Sequence, residues 1–215
     1  KYCLRQKENI VSFLNEYSRN VDMPGEKILS NGKMPGGKII IISDDMVFDT
    51  HKREMDSLIK CGNIAYDMLY FVPHSLVKRS NSESQFALIR EFERHNVFFW
   101  DGTNSNNRDN YSTASDEVRV FQYDSARGLE GWTVVCMDFD VFLEEKLAEY
   151  TEGEVDSLLL ESPEEKKRKY IYNWAMIPFT RAIDTLIITI KDKESQTGRL
   201  LREIAGKCRD YVSWM

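Results

Sequence analysis

Two short stretches carry residues whose types and spacing could do chemistry. The first is DSARGLEGWTVV, residues 124–135, where Arg127, Gly128 and Glu130 stand between two apolar runs. Glycine lets the backbone approach a ligand and adopt positive φ. A turn of helix following Gly128 would aim free N–H groups at an anion. Arg127 adds a cation, and Glu130 adds an acceptor suited to a ribose hydroxyl. The same residues also suit a surface turn closed by a satisfied ion pair. The second stretch is IPFTRA, residues 177–182, with Thr180 and Arg181 between a helix and a strand. An arginine there can reach a phosphate, and in phosphoryl transfer such a group is worth roughly a thousandfold or more in rate. It can equally cap the helix end on a carbonyl or carboxylate.

The elements that must position these residues follow from hydrophobic period. Ile10, Phe13, Leu14, Tyr17 and Val21 recur at helical spacing. KIIIIS, residues 38–43, is a short β-branched run suited to a strand buried on both faces. Asp49 or Thr50 can cap a helix carrying Met55, Leu58 and Ile59, and DMLYFV reads as a second strand. Ser82 and Gln85 have capping-box spacing ahead of Phe86, Ile89 and Phe92. VFFW is a third strand, and EVRVFQY and TVVCMDF flank the first motif. SPEE, residues 162–165, places a capping serine, a first-turn proline and a third-position glutamate. The helix that starts there must kink or stop at Pro178. TLIITI is a final strand, and a closing helix presents Leu200, Leu201, Ile204, Cys208 and Val212. Strands alternating with helices specify an α/β layered fold with a largely parallel sheet. Ligands of open parallel sheets bind beyond the carboxyl ends of the strands, and the first motif follows a strand.

The 215 residues, 42% hydrophobic, suffice for one domain with a sizeable core. The net charge of −6 argues against binding nucleic acid by charge alone, so any such contact is local or shared with another domain. Four dispersed cysteines form no CxxC or CxxH pair, which suits free thiols in a reducing cytoplasm. No apolar run reaches membrane-spanning length. The start at Lys1 reads as a piece of something longer. MPGGK is not a phosphate loop, because Lys38 opens a strand and no Ser or Thr follows it. Without such a loop, Asp44 and Asp45 read as a solvated strand end, and KKRK, residues 166–169, as a solvated or ion-paired face. Residues 142–161 are acidic.

Taken together, ARGLEGWTVV resembles motif V of superfamily 1 helicases of the UvrD/Rep type, and MIPFTRAIDTLIIT resembles their motif VI. LRQKENIVSFLNE resembles motif IV, with Arg5 five residues before Ile10. The resemblance spans nearly the whole chain. It implies a second RecA-like domain over residues 1–215, a three-layer P-loop NTPase-like fold lacking the P-loop, with residues 142–161 as an acidic insertion. It implies ATP with magnesium in a cleft shared with an N-terminal RecA-like domain, which would supply the P-loop and the magnesium carboxylates. By position, Arg5 and Arg181 would meet the γ-phosphate, Glu130 the ribose, and Gly128, Arg127 and Thr180 the nucleotide's surroundings. Ser125 and Asp124 open motif V, where the family meets single-stranded nucleic acid, DNA being the first expectation. Asp124 stands at the family's histidine position, and Leu4 where a tyrosine often stacks on adenine. The resemblance leaves a degenerate interaction module without ATPase activity as the alternative.

Overall fold

The computed structural model describes residues 2–3, 5–23, 27–30, 32–43, 47–77, 87–104, 107, 114–151 and 162–215. Leu4, Asp44, Asp45, Ser82, Gln85 and Phe86 lie outside the described residues, as do residues 152–161 of the acidic segment. Along the chain the elements are β1 (Tyr2–Cys3), α1 (Glu8–Asn20), β2 (Leu29–Ser30), β3 (Lys38–Ile42), α2 (Val47–Lys60), β4 (Met68–Val72) and α3 (His74–Val77). They continue with α4 (Ala87–Arg94), β5 (Phe99–Asp101), β6 (Val118–Gln122), β7 (Gly131–Cys136), α5 (Phe139–Glu149), α6 (Pro163–Phe179), β8 (Ala182–Thr189), α7 (Gln196–Lys207) and β9 (Val212–Trp214).

Seven strands form one parallel sheet in the order β5-β6-β4-β7-β8-β3-β9. Because successive strand side chains point to opposite faces, the isoleucine run of β3 feeds two cores. Ile39 and Ile41 join Phe13 and Leu14 of α1, Phe142 of α5, Phe179 of α6 and Leu201 of α7. Ile40 and Ile42 face the other way, toward Leu58 of α2 and Leu88, Ile89 and Phe92 of α4. The result is the three-layer α/β arrangement of RecA-like domains, with helices on both faces of the sheet. Burying each such side chain contributes roughly 1.5–3 kcal/mol.

Three expectations need correction. Asp49 and Thr50 lie inside α2, which begins at Val47. Residues 142–149 belong to α5, whose Phe142 and Leu143 are in the core, so this part of the acidic segment is a packed helix of the domain. The closing helix ends at Lys207, and Val212 reaches the core from β9, which pairs with β3 through Ile39↔Val212. Cys208 leaves helical geometry at φ −116°, ψ 37°, and the chain turns before a β-branched and aromatic segment suited to a strand. Finally, the first motif does not simply sit beyond a carboxyl end. Since β6 and β7 both run parallel to β4, residues 123–130 leave the carboxyl end of β6 and return to the amino end of β7.

Candidate functional site

The corner between α6 and β8 is built from the capping signal onward. Ser162 Oγ accepts from the Glu165 amide at 3.2 Å, and the Glu165 carboxylate accepts from the Ser162 amide at 2.7 Å. This reciprocal cap starts α6, which then runs to Phe179. Pro178 sits in the last turn and offers no N–H to extend the ladder. The Thr180 amide bonds Met176 O and the Arg181 amide bonds Pro178 O, both at 3.0 Å, closing a tight corner. Phe179 anchors it, edge-on to Phe13 at 5.5 Å and Tyr17 at 5.3 Å between ring centres. Thr180 and Arg181 are thereby delivered to the amino end of β8.

Arg5 arrives from the other end of the chain. Gln6, buried, donates its amide to Ala182 O at 3.0 Å, and the Lys7 N–H bonds Ile183 O at 2.9 Å. Lys7 adds an ion pair to Asp184 at 2.5 Å. These bonds lay the segment before α1 along the start of β8. Arg5 then forms an ion pair with Glu130 and donates to Thr180 O at 3.3 Å. Arg181 donates to Thr180 Oγ1 at 3.0 Å, Ile177 O at 3.1 Å and Leu129 O at 3.4 Å. Burial, and then the charge of Arg5, pull the Arg181 pKa below the ordinary guanidinium value, while Glu130 opposes them. An arginine keeps its proton under such a shift.

The structure therefore brings together Arg5, Glu130, Thr180 and Arg181 at the amino ends of β7 and β8. Arg5 and Glu130 are 43% and 42% exposed. A pair that open to water is worth about 0–1 kcal/mol, so an anionic ligand can displace it at little cost. Two guanidinium groups beside a carboxylate suit a polyanion that also carries hydroxyl groups.

Gly128 turns the chain just before Glu130 with φ 82°, a conformation that favours glycine, and open space surrounds it. The expected turn of helix after Gly128 is absent; the 3₁₀ turn lies earlier, at Tyr123–Ser125. Its start follows from Tyr123, whose buried hydroxyl bonds Met137 O at 2.8 Å and whose ring stacks on Phe142 at 3.9 Å. Arg127 is not in the arginine cluster; its guanidinium lies 5.7 Å from the Trp174 ring of α6. Asp124 pairs with Lys146 at 2.6 Å, and Lys146, only 4% exposed, also holds Glu149 at 2.7 Å. Ser125, half-buried, ends the 3₁₀ turn near this second group.

Three further residues shape these surroundings, none with a role assigned from the sequence. Arg119 of β6 is buried and reaches the carbonyls of Tyr66 and Glu130. Its signal was an arginine inside the apolar run EVRVFQY. Gly131 is packed so closely that an added Cβ would lie 2.9 Å from Thr133 O and 3.0 Å from Leu69 Cβ. Lys146 carries no pattern beyond being a lone lysine in an acidic stretch. Lys38, ruled out as a phosphate-loop lysine, pairs with Glu54 of α2 at 2.5 Å. Among the described residues, no grouping of three or more His, Cys, Asp or Glu is placed to hold a metal ion. No described helix is long and apolar enough to cross a membrane.

The fold has a counterpart among solved structures. The C-terminal domain of a possible DNA helicase from Lactobacillus plantarum WCFS1 superposes with a TM-score of 0.53 over 98% of both chains, at 13% identity. That likeness concerns the fold. No protein-family model matches the chain, and no curated protein matches it significantly.

Proposed function

We propose that this chain is the second RecA-like domain of a superfamily 1 helicase or translocase, and that it supplies one wall of an ATP site. The observation that carries the reading is the meeting of Arg5, Glu130 and Arg181, drawn from three distant stretches, on one exposed end of the sheet. The solved neighbour, a domain of a possible DNA helicase, supports the same direction and favours DNA as the nucleic acid.

In this reading Arg5 and Arg181 bind the γ-phosphate, with Thr180 steering Arg181 through its hydroxyl. Glu130 leaves Arg5 and turns to the ribose. The donor set fits a nucleotide's phosphates. It does not fit magnesium, since the cluster offers a single carboxylate; those ligands belong to the P-loop domain across the cleft. ATP contributes the phosphoanhydride bond, and this chain's arginines neutralise charge that develops as it breaks. Their release after phosphate departure opens the cleft, a recognised form of hinge motion. The full protein thereby steps along single-stranded nucleic acid.

One observation favours the second reading, an interaction module without ATPase activity. Every guanidinium in the cluster already has protein partners, so the end is self-satisfied. Turnover separates the two. The chain alone should hydrolyse no ATP, and should gain turnover when joined to a domain carrying GxxxxGK[ST] and the magnesium carboxylates. Appreciable turnover by the chain alone would sink the half-site reading; none in the joined protein would favour the module.

A further inference from the structure

Arg119 stands where a hydrophobic residue would be cheaper. It lies on β6, between β5 and β4 in the sheet, paired with Trp100 on one side and Leu69 on the other. It is only 7% exposed. A cation in such a place costs solvation unless it is fully bonded. Its close partners are two carbonyls and an aromatic face. Nε donates to Tyr66 O and Nη2 to Glu130 O, both at 2.7 Å, and the guanidinium lies 4.2 Å from the Tyr66 ring.

The second carbonyl matters because of what grips its neighbour. Arg181 Nη1 donates to Leu129 O at 3.4 Å, and the Gly131 amide bonds Arg181 O at 3.2 Å. The peptide plane before Glu130 is thus held by Arg181, and the plane after it by Arg119 and by the Arg181 backbone. Peptide planes are rigid, so fixing both flanking planes fixes φ and ψ of the residue between them. The direction of the Glu130 Cα–Cβ bond follows. These bonds add to the packing of Leu129 on the core and to its amide bond to Ala126 O at 3.3 Å, while open space surrounds Gly128 two residues before Glu130.

We infer that Arg119 is a positioning residue that aims the Glu130 carboxylate at the ribose hydroxyls of a bound nucleotide. The inference rests on the ATP-site reading above. It assigns a task to a buried arginine that touches neither phosphate nor base, and it extends the site from the end of the sheet into its interior. Burial draws the Arg119 pKa down from the ordinary value, and Tyr66 and Asp67 oppose that pull; the group stays cationic and its donors stay available.

The test uses the full-length protein and two nucleotides, ATP and 2′,3′-dideoxy-ATP, which lacks the hydroxyls. Arg119→Lys keeps the cation but cannot fork to both carbonyls. It should raise KM for ATP roughly tenfold, the loss of one charge-assisted hydrogen bond. KM for the dideoxy nucleotide should stay within about twofold, and kcat for both should be nearly unchanged. Glu130→Ala should show the same split, and the double variant should be no worse than either alone. Arg119→Met, which fills the space without donors, should behave like Arg119→Lys. If the folded variants raise KM for both nucleotides equally, Arg119 is merely structural and the inference fails. If KM is unchanged for both, it fails as well. Wild-type protein that turns over no ATP would overturn the nucleotide reading itself, a different outcome from either.

Discussion

Replacing Gly131 by alanine tests how closely the start of β7 is packed beside Glu130. The added Cβ would meet Thr133 O at 2.9 Å, Leu69 Cβ at 3.0 Å and Asp67 O at 3.1 Å. Two of these are backbone oxygens in or next to sheet strands, so they cannot swing aside as a flexible side chain would. Overpacking of this kind costs about 1–3 kcal/mol. Against it stands the entropy that glycine gives the unfolded chain, whose loss stabilises by about 0.4–1 kcal/mol. The net effect is a loss of about 1–2 kcal/mol. For a domain of this size each kcal/mol moves Tm by about 2–4 °C, so Gly131→Ala should melt about 2–8 °C lower. Gly206 in α7 supplies the control, because nothing lies within 4 Å of a Cβ built there. There only the entropy and helix-propensity gain remains, and Gly206→Ala should raise Tm by about 1–3 °C. Thermal unfolding followed by circular dichroism measures both. If Gly131→Ala melts at or above the wild-type temperature, the close approach at β7 is wrong. If Gly206→Ala melts lower, the reasoning from open space is wrong.

Two further perturbations follow from particular side chains. His51, buried against Tyr70, has its pKa lowered to about 4, by burial first and by His95 second. The unfolded chain therefore takes up this proton near pH 6.5 while the native state resists. Stability should fall by up to about 3 kcal/mol as pH drops from 6.5 to about 4, with no further loss from this group below that. Urea unfolding at a series of pH values should show a shallower fall in His51→Gln; an identical pH profile would exclude His51 as the source. Ser162→Ala removes the cap of α6 and should cost about 1 kcal/mol, read as a lower urea midpoint at unchanged slope. No change in midpoint would mean that the cap is not formed in solution.

The layers were legible because local signals agreed with the fold. The isoleucines of β3 announce a strand buried on both faces, and Ser162-Pro163-Glu165 announces a helix start to the residue. Arg5, Glu130, Thr180 and Arg181 were also legible, through the order and content of the motifs around them. Where they gather was not. Which end of a parallel sheet a loop reaches depends on how the chain crosses between strands, and residues 123–130 span the sheet from one end to the other. Helical spacing from Leu200 to Val212 concealed β9, because a three-residue edge strand carries too little period to compete. Arg119 stayed hidden for a different reason. An arginine in an apolar run is ambiguous until its partners are known, and those partners are backbone carbonyls that belong to other strands' ends. Asp124 stands where the resembled motif has a histidine, and only the fold brings Lys146 against it.

The most direct test of the proposed half-site is Arg181→Ala in this domain joined to one that carries a phosphate loop and the magnesium carboxylates. The side chain is half-buried and holds Leu129 O and Ile177 O, so the variant should first be shown to fold with an unchanged far-ultraviolet spectrum. Single-turnover hydrolysis and binding of a fluorescent ATP analogue are then measured side by side. The account predicts a rate lower by roughly a thousandfold or more, with nucleotide affinity weakened by no more than roughly tenfold from freeing the Leu129 carbonyl before Glu130, because in the proposed reading this arginine acts mainly on charge that develops in the transition state. Turnover at the wild-type rate in the folded variant would contradict it.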